Sequence, residues 1–124
     1  MKTGNKQFGV IILSTFPDEE SSISLAKKLI NKKLCACINL TKVRSLYNWN
    51  NNLEDQEEYL VLFKTTTNTV EELKSNIKRA HPYEVPEIVE VRMNKVSKNY
   101  LSWLAESTNK IEKKKQKSRS NKRL

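Results

Sequence analysis

The chain has 124 residues, a length suited to one domain with its own core. It holds 23 Lys/Arg against 14 Asp/Glu, a formal net charge of +9, and a single histidine. With Gly4 and Gly9 as its only glycines it lacks a Walker A loop and a dinucleotide-binding glycine turn, and one histidine excludes two-histidine motifs such as H-E-x-x-H.

The elements follow in chain order. Residues 8–13, "FGVIIL", form a β-branched run expected to be a strand buried on both faces. The run is too short for a signal peptide and carries no cleavage pattern. Nothing in the chain approaches the ~20 apolar residues of a membrane span, so the expected location is the cytosol, with Cys35 and Cys37 reduced. Pro17 followed by Asp18, Glu19 and Glu20 starts a helix, whose expected apolar stripe is Ile23, Ala26, Leu29 and Ile30. Strand character returns at residues 34–40 and runs on through "KVRSLYNWN"; residues 50–52, three asparagines, turn it into a second long strand, "EEYLVLFKTTT". In that strand Leu60 and Leu62 alternate with Tyr59, Val61 and Phe63, so both faces are apolar. "TVEE" at 69–72 has capping-box spacing, and Val70, Leu73, Ile77 and Ala80 give the next helix one stripe. Pro82 ends it at His81. A strand at 87–96, centred on Ile88 and Val89, and a last helix at 97–108 with Tyr100, Leu101 and Leu104 inward complete the order.

The order β-α-β-β-α-β plus a C-terminal helix predicts an α+β, ferredoxin-like antiparallel sheet with two helices on one face. An apolar second face predicts an oligomer packed through it. The domain is expected to span residues 1–109. Residues 110–124 hold eight Lys/Arg against one Glu, a net of +7, while residues 1–109 carry fifteen against thirteen. Such a basic tail reads as a disordered, solvated extension; the rival role is contact with nucleic-acid phosphates or an acidic surface.

"STFPDE", "KLINKKLCACINL", "SLYNW", "LFKTT", "HPYEVPEI" and "YLSWL", in order and spacing over residues 8–107, resemble the CutA (divalent cation tolerance) family. The resemblance implies a compact homotrimer with strands extended across subunit boundaries, a sheet architecture shared with the PII signalling proteins, and a link to copper binding and divalent-metal tolerance. It attaches no firm catalytic reaction. In members credited with copper ligands, cysteine and histidine stand where this chain has Ser14 and Ala80, leaving His81 as the matching ligand.

The site candidates follow. His81, with Glu84 and Glu87 close in sequence, is the candidate metal site, for Cu(II) or another divalent cation, although no cofactor is certain. The competing readings of His81 are a general base and, the expectation here, a structural ring in a pocket wall. Cys35 and Cys37, two apart on a strand, are expected to face one side and to pack in the core. Tyr47, Trp49, Lys64 and Tyr83, with His81, are candidates to wall a pocket at a subunit boundary that suits a small anion, as in a PII-like sensor; packing is the plainer role of Tyr47 and Trp49. No acid/base pair and no nucleophile beside a base stand out, so an enzyme is not expected.

Overall fold

The computed structural model describes residues 7–108. β1 (Gly9–Phe16) alternates in environment: Val10, Ile12, Ser14 and Phe16 are fully buried, while Ile11, Leu13 and Thr15 are half-buried. The protomer therefore covers one face of this strand, not the two that its unbroken apolar run predicts. α1 (Glu19–Asn31) is capped by Asp18, whose Oδ1 accepts the Ser21 N–H at 2.7 Å. Its buried stripe is Ser22, Leu25, Ala26 and Leu29. The stripe is rotated from the expected one because Ser22 can enter the core with its hydroxyl donated to the Asp18 carbonyl at 2.8 Å; Ile30 is left exposed.

Lys33 adopts the left-handed conformation (φ 61°), and the Leu34 and Lys33 N–H groups return to the Leu29 and Ile30 carbonyls at 3.0 and 2.9 Å. This is a Schellman exit, and Leu29 and Leu34 on either side of it are both buried in the core cluster. It holds Leu34–Ala36 out of strand geometry, so β2 (Cys37–Trp49) starts three residues later than the sequence suggests. β2 pairs with β3 (Asn52–Thr66) from Cys37 opposite Lys64 to Trp49 opposite Asn52. Asn50 and Asn51 close the two-residue turn with φ of 55° and 67°, values asparagine tolerates better than most residues.

α2 (Val70–Ala80) buries Val70, Leu73 and Ile77 and leaves Ala80 exposed. Its N-cap Thr69 does not use the capping-box bond; the hydroxyl lies 2.6 Å from Thr65 Oγ1, which itself donates to the Leu34 carbonyl at 2.8 Å. β4 is only Val89–Arg92, shorter than expected, and pairs with Val10–Leu13 of β1. α3 (Lys98–Ser107) is capped by Ser97 and fully buries Leu104 alone; Tyr100 and Leu101 are half-buried.

The sheet order is β2-β3-β1-β4, antiparallel throughout, which is the ferredoxin-like arrangement. The core joins Val10, Ile12, Phe16, Val61 and Phe63 to α1 and α2 on one face. On the other face α3 covers the Gly9 end, where a Cβ would overlap Met93 Sδ and meet Leu104 Cδ1 at 3.4 Å. Beyond it runs an apolar strip, with Leu13 opposite both Leu62 and Val89, and Ile11 opposite Val91. Val89 and Val91 are each 42% exposed. No helix among the described residues is long and apolar enough to cross a membrane. The basic segment at 110–124 lies outside the described residues.

The Thr65–Leu34–Thr69 bonds tie β3, the α1 exit and the α2 start together in a place water does not reach. Thr65→Val removes the hydroxyl and leaves the Leu34 carbonyl short of its best donor. It should lower unfolding free energy by about 1–2 kcal/mol, read as a lower urea midpoint with an unchanged slope.

Candidate functional site

β4 covers β1 only as far as Leu13, so the edge at Ser14–Phe16 must be closed by something else. The segment after α2 does it. Pro82 forces His81 out of the helix (φ −70°, ψ 136°), and its ring turns inward to stack on Phe16, with centroids 4.2 Å apart. Nδ1 accepts the Tyr83 N–H at 3.1 Å, which places the imidazole proton on Nε2, 3.1 Å from Ser14 Oγ. The residue is 9% exposed. Burial lowers its pKa from 6.5, against the opposing pull of a hydrogen bond with the Thr15 backbone and of the Glu58 charge.

Within one protomer this geometry does not bring the three candidate metal ligands together. Both ring nitrogens are engaged, and the ring points to the helix-covered side of β1. Glu84 and Glu87 are exposed and line a groove with Thr15, Glu84 also bordering Lys74 and Lys78 of α2. Among the described residues no three His, Cys, Asp or Glu side chains are gathered to hold a metal ion. Ser14 does meet His81, but as a hydrogen-bond partner, and Ala80 faces outward.

Tyr83 connects His81 to that groove. Its hydroxyl donates to Glu58 Oε2 at 2.5 Å, and Glu58 is only 5% exposed. Burial and this carboxylate push the Tyr83 hydroxyl well above the ordinary phenol range. Glu58 lies in the same groove, of about 690 Å³, between the β2–β3 arm and the segment after Pro82. Tyr47, Trp49 and Tyr83 give it aromatic walls, and Glu54, Glu58, Glu84 and Glu87 give it four carboxylates. Tyr47 donates to Gln56 Oε1 at 3.2 Å, and its pKa is raised by burial and then by Glu58 and Glu54.

Tyr47, Trp49 and Tyr83 thus share one cavity, with His81 behind Tyr83. Lys64 does not join them. It sits opposite Cys37 and Ile11, ten residues along β3 from Glu54, roughly 33 Å at strand rise. Within one protomer, a cavity lined by four carboxylates and no Lys or Arg repels an anion rather than holding one. The sequence reading missed Glu54 and Glu58. Their even spacing places both on the face of Tyr47 and Trp49, but charged Asp55 and Glu57 between them hide that pattern. The cysteines also separate. Cys35 precedes β2, is buried, and has its thiol pushed up to about 12 by burial and by Cys37. Cys37 is half-buried on the uncovered sheet face, its thiol directed at Asn39 Oδ1 3.8 Å away.

The sequence pattern of the CutA1 divalent ion tolerance proteins matches residues 10–107. The chain belongs to the CutA1 divalent ion tolerance family. The divalent-cation tolerance protein CutA of Pyrococcus horikoshii is 41% identical over 101 residues, covering 82% of this chain and 99% of that one. The CutA protein of Thermotoga maritima is 37% identical over 98 residues, covering 79% and 97%. The crystal structure of CutA1 from Pyrococcus horikoshii superposes with a TM-score of 0.78 at 40% identity, covering 82% and 99%. That of CutA1 from Oryza sativa gives 0.78 at 30%, covering 83% and 95%.

In this CutA1 family member the His81 pKa is lower folded than unfolded, so the unfolded chain takes up the proton first. The ring's contribution to stability is complete above 6.5 and is lost as pH falls from there through the depressed folded value. Denaturation midpoints of the protein and of His81→Gln should therefore converge as pH falls from 7.5 to 5. A constant gap would show that His81 titration has no part in acid sensitivity.

Proposed function

We propose that this CutA1-family chain serves divalent-cation tolerance as a cytosolic, non-catalytic homotrimer that attracts divalent cations weakly through carboxylates, not through its imidazole. The observation that carries this reading is the groove whose walls hold Glu54, Glu58, Glu84 and Glu87, spread along it rather than gathered, with no lining Lys or Arg, in a chain whose net charge is +9. Carboxylates suit hard divalent cations, and hydrated ions held at such a wall gain charge complementarity without a closed coordination shell. Copper at His81 would require the imidazole to give up Ser14 or the Tyr83 N–H and leave the Phe16 stack. The residues at His81 do not fit that metal. The same engagement leaves His81 poorly placed as a general base for the groove.

The trimeric part rests on the strip of Ile11, Leu13, Leu60, Leu62, Val89 and Val91, which one protomer leaves half-covered. Removing that area from water favours association at about 25 cal/mol per Å² before the cost of lost freedom. Sedimentation equilibrium at micromolar concentration should give three chains, and Val91→Glu should shift the distribution to single chains. A well-folded monomeric parent protein would end this part of the reading.

Calorimetry separates the two metal hypotheses. Glu54→Gln combined with Glu87→Gln should weaken Cu(II) and Mn(II) binding several-fold, while His81→Gln, which reaches the groove only through the placement of Tyr83, should weaken it less. Binding that disappears with His81→Gln and survives the double substitution would return the metal to the imidazole.

A further inference from the structure

The groove and the end of the chain are opposite in charge. Four carboxylates line the groove, whereas eight of the nine charged residues in 110–124 are Lys or Arg. We propose that this basic segment docks in the acidic groove, making the chain's own C-terminal part the groove's resident occupant. The proposal goes beyond the metal reading, because the occupant is a peptide cation and no metal is needed.

Three observations carry it. The first is charge complementarity: no Lys or Arg lines the groove, and although Glu84 also borders Lys74 and Lys78 of α2, Glu54 and Glu87 face it without a lining cation. The second is the chemistry of the walls. Tyr47 and Trp49 are 37% and 47% exposed, offering ring surface beside the acids. Aromatic faces flanked by carboxylates suit guanidinium and ammonium groups, which stack on the ring and pair with the acid at once.

The third is reach. Thr108, where the described chain ends, has its hydroxyl 3.4 Å from that of Thr66 at the end of β3. Gln56, in the groove, is ten residues back along that strand, roughly 33 Å away. An extended chain covers at most about 3.3–3.6 Å per residue, so Lys117, nine residues past Thr108, comes close to the groove. Arg119, Lys122 and Arg123 reach into it. Lys110 and Lys113–Lys115 are too few residues past Thr108 to span that distance. The exposed Glu84 and Glu87 and the half-buried Glu54 are the carboxylates open to Lys117, Arg119, Lys122 and Arg123, since Glu58 is held by Tyr83. The same length serves the groove of a neighbouring copy. Divalent cations and the tail would compete for the carboxylates, so ions would displace the tail and the tail would set the ion concentration at which the groove fills.

The test uses the full-length chain in a chelator. Carbodiimide joins contacting ammonium and carboxylate groups without a spacer. Mass spectrometry should find Lys117 or Lys122 joined to Glu54, Glu84 or Glu87, with a yield that falls roughly fivefold or more between 50 mM and 500 mM salt as screening shortens. In parallel, the Trp49 indole N–H resonance should move over the same salt range. It should stay fixed in the variant Lys117→Gln, Arg119→Gln, Lys122→Gln and Arg123→Gln. Cross-links confined to other carboxylates such as Glu71 or Glu106, or a Trp49 signal indifferent to those four substitutions, would overturn the proposal. So would tail lysines that cross-link to nothing while binding RNA. Because no metal is present, these failures leave the calorimetric outcome untouched.

Discussion

The imidazole of His81, held between Ser14 Oγ and the Tyr83 N–H, is the constraint on which the functional half of the molecule rests. β1 is the central strand that β4 covers only in part. Without a group to close Ser14–Phe16, the helix-side core would open at that end. A protonated ring could not accept from Tyr83, and a ring turned outward would abandon Phe16. The neutral, inward ring is therefore both a core component and a peg. It fixes where the segment after Pro82 leaves α2 and hence where Tyr83 arrives.

From that peg the consequences cross the sheet edge. Tyr83 carries its hydroxyl to Glu58, so a nearly inaccessible carboxylate gains a donor strong enough to keep it in place. Glu58 is paired in the ladder with Val43, in the stretch where β2 and β3 run on as a two-stranded arm beyond β1. The groove exists because an arm of regular pairing and an irregular proline-rich segment are joined through one short hydrogen bond. The helix-covered face supplies cohesion, the strip of Leu and Val on the reverse supplies a surface for association, and the arm supplies charge.

Much of this was legible in the residues. The element order followed from hydrophobic period, Pro82 marked the end of α2, and the asparagines at 50–52 marked the turn. The apolar second face of β3 was visible in Leu60 and Leu62. Tyr47, Trp49 and Tyr83 line one groove, and the signals that group them, period two on β2 and proximity to Pro82, are local. What escaped depended on three-dimensional closure. Lys64 was grouped with the aromatics because strand register was unknown. The α1 stripe was misplaced because a serine entered the core with its hydroxyl satisfied locally. His81, Glu84 and Glu87 form one cluster in sequence, yet the ring of His81 turns into the core while both carboxylates stay exposed. Sequence distance is a poor guide to metal geometry wherever a proline-stiffened corner intervenes.

The Schellman exit after α1 has a practical outcome for chemical labelling. By keeping Cys35 out of β2, it strands one sulfur in the interior, where its deprotonated form is scarce at neutral pH, while Cys37 remains reachable on the open sheet surface. Two thiols only two positions apart thereby differ in reactivity without any mutation. A maleimide dye would distinguish them, and its emission would report directly whether that surface is bare or occupied.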